Sequence, residues 1–256
     1  MSPPSSLSWP ARIQVAERIH SLLSTESSSS SLSSSTRENL NDSLKLLRQS
    51  IEMYGKGLAL SFNGGKDCTL LLYLLFAALE EAELPKGQEN PIPTVYITHT
   101  HPFKEVDTFI DQCITQYGLD LYRAKEPMKE GLSQFLAASS TPIRAILVGI
   151  RMGDPYSSNL KAIQPTDPGW PSFIRIHPVL QWTHAEVWEV LRSLHLPYCP
   201  LYDQGYTSLG GTNDTRPNPS LLLPSSKEEG KELPVRYAPA WKLTDPTKER
   251  DCRVKR

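Results

Sequence analysis

The chain has 256 residues, with 27 Lys and Arg against 28 Asp and Glu and a formal net charge of −1. That balance leaves no basic field for nucleic acid and no acidic tail, and the length suffices for one sizeable core. The apolar run over residues 70–79 is far shorter than the roughly 20 residues a membrane span needs. Residues 1–10 carry neither a basic nor an apolar stretch, so no secretory signal is expected. The four cysteines, Cys68, Cys113, Cys199 and Cys252, form no CxxC pair. Neither a zinc site nor a redox dithiol is signalled, and a reducing, cytoplasmic setting is the expectation.

Residues 9–23 have helical spacing, with Trp9, Ile13, Ala16, Ile19, Leu22 and Leu23 on one face. Residues 24–36 hold nine serines in thirteen positions, which predicts a flexible loop. A second helix follows, with Leu40, Leu44, Leu47, Ile51 and Tyr54 in register and Gly55 and Gly57 at its end. The middle of the chain alternates: strands are expected over 58–62, 94–98, 119–124 and 145–150, helices over 67–83, 103–117 and 129–138. Near-continuous apolar strands in that order predict an α/β fold, a mostly parallel sheet with helices on both faces. On such sheets ligands sit beyond the carboxyl ends of the strands. The loops 63–67, 99–105 and 151–157 all follow strands and can meet at that edge.

Residues 173–176 are a further strand, and 182–194 a helix with Thr183 and Glu186 as a capping box. Residues 220–233 look like a surface loop. Of the 22 prolines, Pro217, Pro219, Pro224, Pro234 and Pro239 cluster late, which predicts an irregular C-terminal region. One compact domain in three parts results: residues 1–56 with two helices and the serine loop, a core over 57–200, and a segment over 201–256 that closes over the site.

The chemistry concentrates in Ser61-Phe-Asn-Gly-Gly-Lys-Asp-Cys-Thr69 between a strand and an apolar helix. Gly64 and Gly65 let the backbone approach an anion, and Ser61, Asn63 and Lys66 offer donors beside a helix start. GxxxxGK[ST] and GxGxxG are both absent. Cys68 reads as a packing residue. A second cluster, Gly149-Ile-Arg-Met-Gly-Asp-Pro155, ends a buried strand. There Arg151 suits a phosphate, and Asp154 suits either Mg²⁺ or a base-side contact. Asp167 and Trp170 follow in Thr166-Asp-Pro-Gly-Trp-Pro171, an odd loop from which to build a core. Arg175 belongs either to this group or to the sheet edge. Near the end stands Pro239-Ala-Trp-Lys-Leu…Glu249-Arg-Asp-Cys-Arg253.

The glycine turn resembles the SGGKDS signature of the PP-loop nucleotide-binding superfamily. The four motifs in their order resemble those of eukaryotic FMN adenylyltransferases (FAD synthases), on the PAPS-reductase-like branch. The resemblance spans roughly residues 40–256 and implies a Rossmann-like, HUP-type fold. It implies ATP and FMN as substrates, FAD as product and Mg²⁺ as cofactor. ATP would be held by Ser61, Phe62, Asn63, Gly64, Gly65, Lys66, Gly149 and Arg151, and flavin by Asp167, Trp170, Arg175 and Arg253. Asp67, Asp154, Arg250 and Arg253 would be catalytic, with Asp67 and Asp154 on the metal. Cys252 stands where many members have Gly, and Gly153 where many have Thr. A PAPS-reductase-like sulfonucleotide enzyme and a non-catalytic flavin-nucleotide sensor are the alternatives. No nucleic-acid or membrane partner is implied, and a monomer or weak homodimer is expected.

Overall fold

The computed structural model describes residues 8–24, 32–82, 91–125, 127–224, 227–228, 231–232 and 235–254. Two helices come first, α1 (Ser8–Ser24) and α2 (Ser34–Tyr54). Of the expected serine loop, residues 25–31 lie outside the described residues. Its two ends are helical: Ser24 closes α1, and Ser34–Thr36 open α2. The reason is local, because the Ser33 side chain accepts from the Thr36 N–H and caps the helix.

Strands β1 (Leu58–Ser61), β2 (Ile92–Thr98), β3 (Leu119–Lys125), β4 (Ala145–Val148) and β6 (Ile174–Ile176) run parallel. A sixth strand, β5 (Ile163–Pro165), pairs antiparallel with β6. The order is β3-β2-β1-β4-β6-β5. The expected strands all form, within a few residues at their ends. In this sheet β5 was not anticipated; its three residues, Ile163 and Pro165 exposed and Gln164 half-buried, give no apolar signal, and pairing with β6 makes the strand.

Helices α3 (Lys66–Glu81), α4 (Lys104–Tyr117) and α6 (His184–Ser193) share one face of the sheet with α1 and α2. Helix α5 (Met128–Ala138) packs on the other face, against β2 and β3. Alternation along the strands explains the split: Leu58 and Leu60 join the larger cluster, and Ala59 the smaller. From Cys68 through Ala78 every residue of α3 is buried, beneath α1, α2 and α6. An apolar helix of this kind can only be a core element. The capping box at α6 forms as expected, with Thr183 and Glu186 each satisfying the other's backbone N–H.

The C-terminal region is irregular, as the prolines imply, with short 3₁₀ turns over Pro200–Gln204, Pro219–Leu221, Ala240–Lys242 and Pro246–Lys248. The expected loop over 220–233 is not uniform. Leu221 is buried, Leu222 bridges to Tyr237, and Lys227–Glu228 pairs with Lys231–Glu232. No described helix is long and apolar enough to cross a membrane.

Candidate active site

The glycine turn sits where the strand order reverses, at the carboxyl ends of β1 and β4, the usual ligand position on open α/β sheets. Gly64 has φ +71°, a conformation that L side chains avoid. Gly149 is required by packing: an added Cβ would lie 2.9 Å from the backbone of Cys68. The turn after β4 is thereby pressed onto the first turn of α3. Cys68 itself is buried, and burial pushes its thiol up to about 12, so it packs as expected. Phe62 is fully buried and meets Phe109, and its N–H donates to the Val95 carbonyl at 3.0 Å, leaving only its own carbonyl for a ligand. Ser61 is half-buried.

Two amides of the turn already have partners. The Gly65 N–H donates to Asn63 Oδ1 at 2.9 Å, and the Lys66 N–H donates to the Tyr202 hydroxyl at 2.7 Å. The Asn63 side chain is exposed, and its oxygen stands where an anion oxygen would accept from Gly65.

Beneath the turn lies a buried charge network. Lys66 is 2% and Arg151 4% exposed. Lys66 Nζ is 3.0 Å from Asp67 Oδ2, and Arg151 Nε is 2.8 Å from Asp67 Oδ1. The Arg151 N–H donates to Asp154 Oδ2 at 2.8 Å, and Arg151 Nη2 is 3.7 Å from Asp154 Oδ1. Lys66 Nζ and Arg151 Nη2 both converge on Glu249 Oε1, each at 2.6 Å. His184 Nδ1 lies 3.3 Å from Glu249 Oε2. Burial alone would lower Lys66, but Asp67 and Glu249 outweigh it and hold it above its ordinary value. Asp154 is raised by burial and by the nearby negative charge of Asp67.

Glu249 and His184 are members of this network that the sequence reading did not assign. Glu249 lies in the tail motif, beside the two arginines that would give that motif its phosphate-binding character. Burial alone would raise Glu249, yet Lys66, His184 and Arg151 outweigh it and hold the carboxyl far below the usual range. A depressed carboxylate stabilises the fold above its unfolded pKa and loses that contribution as pH falls. Glu249→Gln is therefore expected to destabilise by about 3–5 kcal/mol near neutrality. The gap to the parent chain should close as pH falls below the ordinary glutamate value of about 4.3. Urea melts of both chains at neutral pH and in acid check this.

A second cluster lines a cavity of about 400 Å³ formed by His99, Thr100, His101, Asp214, Arg250 and Arg253. Asp214 ties it together: Oδ2 is 3.3 Å from His99 Nε2, and Oδ1 is 3.3 Å from Arg253 Nη2. Arg250 is exposed. The loop after β2 thus meets the C-terminal tail at the same sheet edge. Thr207 and Ser208 help hold the tail there, through the bonds Thr207 Oγ1 to Glu249 O at 2.6 Å and Cys252 Sγ to Ser208 O at 3.4 Å. Cys252 is fully buried and has no positive φ, so its side chain is accommodated without backbone strain. Gly153 has open space around it.

The third group stands apart. The hairpin between β5 and β6 carries Asp167, Trp170 and Arg175, with Arg175 Nη2 3.1 Å from Asp167 Oδ1. Because Ile174 pairs with Ala145, the hairpin tip lies at the amino end of the parallel strands. Three strand residues, about 10 Å, separate it from the carboxyl edge. Asp167 is exposed, and Trp170 is 40% exposed, so the tryptophan is not a core residue. Arg175 pairs with Asp167 and also donates to the Pro165 carbonyl beside the edge ladder.

A family model described as the phosphoadenosine phosphosulfate reductase domain matches residues 57–141 and 127–217. A probable FAD synthase of Schizosaccharomyces pombe is 40% identical over 214 residues, covering 82% of this chain and 77% of that one. The chain belongs to the FAD synthase family. A probable FAD synthase of Caenorhabditis elegans is 39% identical over 215 residues, and the chain spans 40% of that relative's length. The crystal structure of Candida glabrata FMN adenylyltransferase in complex with FAD and inorganic pyrophosphate superimposes with a TM-score of 0.84. It is 30% identical, and the match covers 100% of both chains. The Rossmann-like PP-loop fold expected from the glycine turn is that of the family.

Proposed function

We propose that this chain transfers the AMP moiety of ATP to the 5′-phosphate of FMN, giving FAD and pyrophosphate. The observation that carries the reading is the buried charge centre of Lys66, Arg151, Asp67 and Asp154 beneath the glycine turn, at the sheet edge it shares with the arginine-lined cavity. In this reading the ring of FMN lies at the Asp167–Trp170 hairpin and its phosphate reaches toward that edge. Asp167 would hydrogen-bond the uracil-like edge of the ring, and Trp170 would cover its face.

A terminal oxygen of the FMN phosphate attacks the α-phosphorus of ATP in line. The bond to the bridging oxygen of the β-phosphate breaks, and its electron pair leaves with pyrophosphate. No side-chain nucleophile or base is required, since a phosphate monoester is already ionised near neutrality. The chain's task is to align two polyanions and offset their charge. Arg250 and Arg253 point the tail's charge into the cavity where phosphate would gather.

Asp67 and Asp154 suit a Mg²⁺ ion. Asp67 Oδ1 is buried and makes no hydrogen bond of good geometry, and its charge raises Asp154, a repulsion that a divalent cation relieves. Mg²⁺ commonly takes one or two carboxylates together with substrate phosphates, so a third protein ligand is unnecessary. Bound there, it would supply charge stabilisation to the transferring phosphoryl group.

The reductase alternative needs an accessible nucleophilic cysteine. All four cysteines are buried and unpaired, which suits packing in a reducing compartment such as the cytoplasm. The deciding assay mixes protein, MgATP and FMN and resolves FAD by chromatography. Pyrophosphate release at the same rate without FMN would overturn the reading. In the same assay Trp170→Ala is expected to raise KM for FMN roughly 5- to 100-fold, the worth of one stacked ring. KM for ATP should stay within about threefold. An unchanged FMN KM would remove Trp170 from the flavin site.

A further inference from the structure

Glu249 presents a problem of charge. A site built to receive polyphosphate keeps its two most buried cations, Lys66 and Arg151, engaged by an internal carboxylate. A carboxylate that must leave before substrate binds should be loosely held, and Glu249 is not. Its residue is 8% exposed, Oε1 faces both cations at 2.6 Å, and Oε2 faces His184. Its own carbonyl accepts from Thr207, the preceding carbonyl of Lys248 accepts from Asn218 at 2.8 Å, and its N–H donates to the Pro246 carbonyl. Withdrawing it would take from each of two buried cations one of its counter-ions, which is costly.

Lys66 and Arg151 bring two positive charges, and Asp67 and Asp154 bring two negative ones. Without a fifth group the centre is neutral, and both aspartates are consumed as counter-ions. With Glu249 these five groups, the His184 ring left aside, carry one excess negative charge, located on the inner side. Asp67 and Asp154 then retain charge for something on the outer side.

We propose that Glu249 is a positioning residue that neutralises Lys66 and Arg151 from within, so that Asp67 and Asp154 remain available to a divalent cation. The same contact fastens the C-terminal segment, so Arg250 and Arg253 arrive at the cavity together with a charge-competent centre. This inference rests on the nucleotide reading above, and it assigns Glu249 a role that does not involve touching substrate.

The test is a binding measurement with Glu249→Gln and Glu249→Asp. ATP is titrated calorimetrically into each chain with excess Mg²⁺ and again with EDTA, and the ratio of the two Kd values gives the metal-dependent gain. Glu249→Gln is expected to reduce that gain about tenfold, while ATP affinity in EDTA changes less than threefold. Glu249→Asp keeps the charge but is one methylene too short to hold both cations, and should lose about threefold of the gain. A parental gain in Glu249→Gln overturns the proposal, and so does an equal loss of affinity with and without metal, which marks general damage. Should Glu249→Gln not fold, Glu249→Asp decides alone: a reduced gain supports the role, and a parental gain overturns it. If the parent chain itself shows no metal-dependent gain, the nucleotide reading has failed, which is a separate outcome.

Discussion

Asp154→Asn is expected to lower turnover by about 100-fold or more, the loss of several kcal/mol of charge stabilisation at the transferring phosphoryl group. Stability should scarcely move, within about 1 kcal/mol. The two effects separate for a structural reason. Asp154 accepts the Arg151 N–H through Oδ2, and an asparagine oxygen can do the same. The charge it loses is one that the fold resists, because burial and Asp67 already raise the carboxyl. Steady-state rates of FAD formation, set beside thermal melts, check both halves. Turnover equal to that of the parent chain would remove Asp154 from the metal-binding role.

Arg151→Met should do the reverse to stability, lowering it by about 3–5 kcal/mol because buried carboxylates are left without their partner. At roughly 2–4 °C per kcal/mol for a chain of this size, Tm should fall by about 10 °C. The contrast is Arg123, which pairs with Asp107 and Asp111 on the surface with 37% of its side chain exposed. Arg123→Met removes two ion pairs where Arg151→Met removes three, yet screening and side-chain entropy limit the loss to about 1 kcal/mol in all. Calorimetric melts of both variants give the comparison directly, and equal losses would show that burial of Arg151 is not what matters.

The fold was legible wherever burial is one-sided or complete. The continuous apolar run after Lys66 announced a core helix, and the Thr183–Glu186 pair announced the start of α6. Strand β5 was not legible, because Ile163, Gln164 and Pro165 owe their conformation to β6. In the site, the glycine turn and the Arg151–Asp154 pair stood out, since polar residues beside glycine at a strand end have few structural uses. Lys66 and Arg151 were read as phosphate ligands, and the structure places both beneath the turn with internal partners. That distinction depends on Glu249, 98 residues beyond Arg151 in the chain, and on Tyr202, which takes the Lys66 N–H. Neither carries a local signal, because the partnership exists only after the tail has folded back. His99 and Asp214 are of the same kind, joined only where the loop after β2 meets the tail.

The helix that follows the glycine turn is also deeply enclosed, with eleven successive residues, Cys68 to Ala78, out of solvent. Its first turn therefore cannot loosen without disturbing the interior. Ligand occupancy should then protect the whole chain and not one loop, by about 2.7 kcal/mol at a hundredfold excess over Kd. In deuterium exchange, the amides of α3 should be the slowest to label, and added nucleotide should retard them as much as it delays global unfolding.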